Sequence, residues 1–119
     1  MPTYRDLKSV AYLEAILNYA GRLLNVEFQP IGKMRFRSAC PFHADARNSF
    51  RVYVDGGDEV RFHCLGECAR GWDIFDLIML RERCGFIEAQ RRLAEFLGVA
   101  DFIPLTEKPL SAEKDGHAA

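Results

Sequence analysis

The chain has 119 residues, 49% hydrophobic and 28% charged, with a formal net charge of −1 at pH 7. That balance suits one folded domain and excludes a polybasic protein that coats nucleic acid by bulk charge, so any nucleic-acid contact must come from a local patch. No apolar run reaches the roughly 20 residues of a membrane span, and the opening stretch lacks the apolar core of a secretory signal, so no membrane contact and a cytoplasmic location are expected.

In chain order, Leu7, Val10, Leu13, Ile16, Leu17 and Ala20 recur at intervals of three and four. They predict one amphipathic helix from Thr3 to Ala20, with Gly21 as its stop and Thr3 and Asp6 as a capping pair. Val26 and Phe28, a turn at Pro30-Ile31-Gly32, and Met34 and Phe36 alternating with Arg35 and Arg37 predict a hairpin ending at Cys40. Phe50–Val54 and Val60–His63 flank Asp55-Gly56-Gly57-Asp58, a second hairpin that delivers Cys64. Ile74, Phe75, Leu77, Ile78 and Leu80 predict a helix capped by Asp73 and running to Cys84-Gly85. Ile87, Leu93, Ala94, Phe96 and Leu97 share a face of a further helix ended by Gly98. Residues 101–119 hold two prolines, several charges and few large apolar groups, so a disordered tail is expected there and a folded domain over 1–100.

Four cysteines in a reducing compartment read as metal chemistry before disulfides. Cys40-Pro41-Phe42-His43 offers a thiolate and an imidazole three positions apart, and Cys64-Leu65-Gly66-Glu67-Cys68 two thiolates four apart. Two such turns at the ends of neighbouring strands can surround a tetrahedral ion. Cys40, His43, Cys64 and Cys68 would fill all four positions of one structural Zn2+ and leave none for substrate or water. The plainer alternative is three small buried thiols and a solvated histidine. Cys84 has no second ligand near it and reads as a buried thiol, while His63 points to the opposite strand face from Cys64. An iron–sulfur cluster would need Cys84 and leave His43 unused.

With these ligands placed, the chain resembles the zinc-binding domain at the N-terminus of bacterial DnaG-type primases. Cys40-Pro41-Phe42-His43, Ser49-Phe50, Phe62-His63-Cys64, and Gly71 followed by Asp73-Ile74-Phe75-Asp76-Leu77-Ile78 carry the resemblance, which covers about Tyr4 to Val99. Two departures stand out. Three residues separate Cys64 from Cys68 where that family usually has two, and Arg47-Asn48 replaces its common threonine-proline pair. The resemblance implies an α+β fold: a zinc-ribbon-like small antiparallel sheet with an N-terminal helix and two C-terminal helices. It also implies a module that helps recognise single-stranded template DNA in replication or priming, as a partner or arm of a primase, polymerase or helicase. The chain shows no carboxylate cluster for catalytic magnesium and no His-x-Glu motif beside its cysteines, so it is expected not to be an enzyme.

Period 2 sends Arg35 and Arg37 to one strand face, and Arg51 and Tyr53 likewise, with Arg61 on the next strand and Lys33, Arg47 and Arg70 near strand and knuckle ends. Such a sheet could grip phosphates and stack bases on Tyr53. These eight residues are the candidate DNA-binding set, against the alternative of an ordinary polar sheet face. Phe28, Phe36, Phe50 and Phe62 read as core. The main rival function is a zinc-stabilised adaptor that docks a replication protein without touching DNA; a redox dithiol at Cys64 and Cys68 ranks below it.

Overall fold

The structure, a computed structural model, describes residues 2–108. The Asp6 amide donates to the Thr3 hydroxyl (3.4 Å) and the Thr3 amide to the Asp6 carboxylate (2.8 Å), a capping box on α1 (Tyr4–Leu7). The single helix expected from Thr3 to Ala20 is broken here: α1 gives way to a 3-10 turn (Val10–Tyr12) and then α2 (Leu13–Leu24). At the break the Lys8 carbonyl accepts from Val60 (2.9 Å) and the Val10 amide donates to Asp58 (2.8 Å). The β-hairpin thus takes up peptide groups that a continuous helix would bond internally. Gly21 does not stop α2. A Cβ there would stand 3.2 Å from the Val26 carbonyl, so glycine permits a close approach, and Asn25 (φ 56°) ends the helix four residues later.

Five strands, β1 (Gln29–Gly32), β2 (Arg35–Ser38), β3 (Phe50–Val54), β4 (Val60–Cys64) and β5 (Gly71–Trp72), form an antiparallel meander in that order. The first turn falls at Lys33-Met34, with Met34 at φ 55°. Pro30 lies opposite Phe36 inside β1, an edge strand, where a residue without an N–H is tolerated. β5 is too short to carry a periodic signal and was not anticipated. The second turn matches expectation: the Asp55 carboxylate accepts from the Gly57 (2.9 Å) and Glu59 (3.0 Å) amides.

Register separates the two faces. Phe36, Val52, Phe62 and Trp72 align across the sheet on the core side, beside Phe50 and Cys64. Phe42, Phe50 and Trp72 pack at centroid distances of 5.1 to 6.5 Å, and Phe28 lies over Phe50 and Phe62. The helical half is built on α3 (Ile74–Glu82) and α4 (Phe86–Leu97), joined to α1 by the Tyr4–Phe75–Phe86 ring cluster. Asp73 and Asp76 form the capping box of α3, which ends at Glu82, slightly before the expected Cys84-Gly85, because Arg83 turns left-handed (φ 52°). Gly98 (φ 78°) ends α4 as expected.

A buried ionic group joins these parts. Lys8 Nζ meets Asp73 (3.0 Å), Glu59 (3.2 Å) and the Tyr4 hydroxyl (3.0 Å), tying the helix break, the hairpin and the cap of α3 together. Burial pushes the Asp73 carboxyl up, but Lys108 and Lys8 outweigh it and hold its pKa down to about 2. The expected tail begins at Asp101. Its described part is held against the fold: the buried Gln90 amide donates to the Leu105 carbonyl (2.7 Å) and accepts from the Leu105 amide (2.8 Å), and Lys108 reaches Asp73 (2.5 Å). Residues 109–119 lie outside the described residues. The architecture is α+β, a small antiparallel sheet with helices. No helix among the described residues is long and apolar enough to cross a membrane.

Candidate metal centre and nucleic-acid interface

Two loops at one end of the sheet bring the four predicted metal ligands together. In the first, the Asp45 carboxylate accepts from the amides of Cys40 (2.9 Å), Arg47 (3.1 Å) and Ser49 (2.8 Å) and from the Ser49 hydroxyl (2.9 Å). Partial burial acts against its charge, yet these donors hold the carboxyl well below the usual carboxylate range. His43 Nδ1 donates to the Ala44 carbonyl (2.8 Å), an acceptor only, which fixes the tautomer and leaves the Nε2 lone pair facing the cluster.

In the second loop the amides of Gly66 and Cys68 donate to Cys64 Sγ. A Cβ on Gly66 would lie 2.7 Å from Ser49 Oγ, so no other residue lets the two loops meet this closely. Cys40 Sγ and Cys68 Sγ are 3.7 Å apart, His43 Nε2 and Cys64 Sγ 3.3 Å, and all four donor atoms fall within 4.8 Å of one another. A regular tetrahedron with Zn–S bonds of about 2.3 Å has S···S edges of about 3.8 Å, so the cluster fits zinc.

The three thiols differ in how readily they ionise. Burial pushes Cys40 up to about 12 and also raises Cys68. Burial acts upward on Cys64 as well, but the hydrogen bond with His43 and the two loop amides hold it down to about 6. Three thiols in such contact ionise together only around a cation.

The outer face of the sheet collects most of the predicted DNA-binding residues. Arg37 stands opposite Arg51 and Arg51 opposite His63, while Tyr53 on the same face stands opposite Arg61. Lys33, Arg35, Arg51 and Tyr53 line one groove of ≈ 550 Å³. Arg37 Nε is buried without a hydrogen-bond partner among the described residues, and Arg51 donates to the Asn48 carbonyl.

Three members of the set are buried on that face or lie off it. Arg61 is only 3% exposed and is paired with Glu59 (2.8 Å), because the Ser9–Glu59 bridge closes that end of the face. Arg70 lies over the ring of Trp72, a core-side residue (5.1 Å). Arg47 lines a separate groove of ≈ 430 Å³ beside the metal loops, with His43, Asp45, Leu65 and Glu67.

A model of the CHC2 zinc finger family matches residues 23–104. The chain belongs to the CHC2 zinc finger family. Its relatives include DNA primases of Deinococcus radiodurans, 35% identical over 74 residues, and of Lactococcus lactis, 37% identical over 60 residues. These alignments cover 62% and 50% of this chain but only 12% and 9% of the two relatives. A third, the DNA primase of Mycobacterium leprae, is 34% identical over 73 residues, 61% of this chain and 11% of that protein. Family membership and the Cys-His-Cys-Cys cluster together support zinc binding.

The relatives also correct one expectation. They are named as DNA primases, which are enzymes, so the inference from missing carboxylates that this CHC2 zinc finger is not an enzyme does not stand. A missing magnesium site in a stretch that matches about a tenth of those proteins bears on that stretch alone. Asp45 was missed at the sequence level. Its available signal was an aspartate two residues after a predicted ligand, in a loop that must turn back on itself, where a carboxylate can collect backbone amides.

Proposed function

We propose that this CHC2 zinc finger is a single-stranded DNA-binding module of replication priming. One structural zinc ion, held by Cys40, His43, Cys64 and Cys68, would fix the end of the sheet. Its partners would be single-stranded DNA and a primase, polymerase or helicase, in the cytoplasm. The module takes in residues 1–100 with the segment to Lys108 fastened onto it.

The observation that carries this reading is the register of β2, β3 and β4, which puts Arg37 opposite Arg51 on the face that also carries Tyr53, with Arg35, Arg51 and Tyr53 lining one groove. Guanidinium groups for phosphates beside an aromatic ring for bases is the composition of a single-strand binder. The acidic hairpin does not cancel it: Glu59 is engaged by Lys8 and Arg61, and Asp55 by its own turn.

Fluorescence anisotropy of a labelled single strand against zinc-loaded protein, at several salt concentrations, tests the reading. Log affinity should fall with log salt at about −0.7 per phosphate contacted. No binding at low salt by folded protein would favour the adaptor, for which the ≈ 290 Å³ groove lined by Tyr19, Leu23 and Phe96 is the available surface.

A further inference from the structure

The second metal loop carries one residue more than the resemblance leads one to expect, and its tip lines the groove beside the metal site. Leu65 is 62% exposed there, and Glu67 and Arg47 are exposed on the same groove. Neither the Glu67 carboxylate nor the Arg47 guanidinium has a hydrogen bond or ion pair with any described residue, although opposite charges line one cavity. The tip is nonetheless well placed. The Leu65 amide donates to the Ser49 carbonyl (2.9 Å), and Gly66 is pressed against Ser49, so Leu65 and Glu67 are carried on a loop fastened at its middle.

The groove also adjoins the basic face. Arg51, which lines the sheet groove, donates to the carbonyl of Asn48, the residue after Arg47. A strand lying across Arg37 and Arg51 would meet the metal-loop groove next.

We propose that this groove reads one unpaired base of the bound strand, and that Glu67 is its specificity-determining residue. Leu65 offers an apolar surface for the base, Arg47 a cation for the adjoining phosphate, and the Glu67 carboxylate an acceptor with no donor. A carboxylate accepts a hydrogen bond from an exocyclic amino group, such as cytosine N4, and repels the carbonyl O4 that thymine presents at the same place. The ligand class is therefore an amino-bearing base, selected against thymine.

This inference rests on the DNA-binding reading of the sheet, and the experiment separates the two. Oligo-dC and oligo-dT of equal length are titrated by anisotropy at neutral pH with zinc-loaded wild type and with Glu67→Gln, whose zinc content is checked and should be unchanged. Wild type should prefer oligo-dC by about fivefold or more. Glu67→Gln keeps the shape but adds a donor for O4, so the ratio should fall toward one while oligo-dT binding strengthens. Equal binding of both strands by wild type, or a preference that Glu67→Gln leaves intact, overturns the base-reading groove and leaves the DNA-binding module standing. Failure of both strands to bind at low salt overturns both readings.

Discussion

Lys8 and Arg37 are both basic residues drawn into the fold, yet their surroundings are opposite. Lys8 is 3% exposed and touches two carboxylates and a phenol. Arg37 stands across from another arginine, and among the described residues neither it nor Arg51 has a carboxylate within ion-pair distance. Like charges directly opposite on neighbouring strands destabilise a sheet. In the helical half, by contrast, Lys8, Lys108 and Arg92 are each matched with acids. Matched charge ties the helical half together, whereas Arg37 and Arg51 on the outer sheet face have no acidic partner among the described residues.

The metal loops should give the largest effect. Cys64→Ser removes a thiolate on which the His43 contact and two loop amides converge. It should abolish both stoichiometric zinc and the cooperative thermal transition, because metal affinity in small zinc domains is part of the folding free energy. Zinc assay and circular dichroism on one sample read both, and retention of both would remove Cys64 from the ligand set.

The ionic group comes next. Asp73→Asn leaves Lys8 without its main countercharge, and breaking a buried pair costs about 3–5 kcal/mol, which a urea melt would show. Zinc content should stay stoichiometric, separating this half from the metal loops. The pH dependence has a definite sign. Asp73 is held at about 2 when folded, below about 3.9 for an unfolded aspartate. Its contribution is therefore fully present above about 4 and lost as pH falls toward 2. Between pH 7 and pH 5 the gap in stability between wild type and Asp73→Asn should stay constant; a gap that closes in that window would mean that Asp73 is not held as an ion.

The same contrast explains what could be read in advance. The Cys-His-Cys-Cys cluster was legible because short-range spacing fixes such a loop pair, and the shared face of Arg37 and Arg51 because period 2 survives into the strands. The cap at Asp73 and the stop at Gly98 are likewise local signals. The break after Leu7 was not legible, since the apolar repeat runs unchanged through Val10 and only the distant hairpin, bonding to Lys8 and Val10, interrupts the helix. Gly21 misled for a related reason: its purpose is contact with Val26, five residues on. Arg61 alternates like Arg35 and Arg37, and nothing in its own strand announces the Ser9 bridge that closes over its neighbour Glu59. Proline and charge suggested a loose segment after Asp101, whereas a single buried glutamine, Gln90, holds Leu105 by its backbone.

The smallest stability effects should fall on the outer face. Removing both charges of the Arg37–Arg51 pair, as Arg37→Gln with Arg51→Gln, relieves a repulsion and loses one bond to Asn48, so the net change should lie within about 0.5 kcal/mol. Single-stranded DNA affinity should nevertheless drop, and the salt slope should shrink by about 1.4 if each arginine meets one phosphate. Arg92→Ala supplies the comparison. Its pairs with Glu82 (2.8 Å) and Glu88 (2.9 Å) are solvent-exposed, so it should move the melting temperature little and the DNA slope not at all. Each variant removes guanidinium charge from a protein whose formal charge is only −1. If bulk charge governed binding, the Arg92 variant would show half the slope change of the double variant; if the unpaired face governs it, Arg92→Ala binds as wild type does.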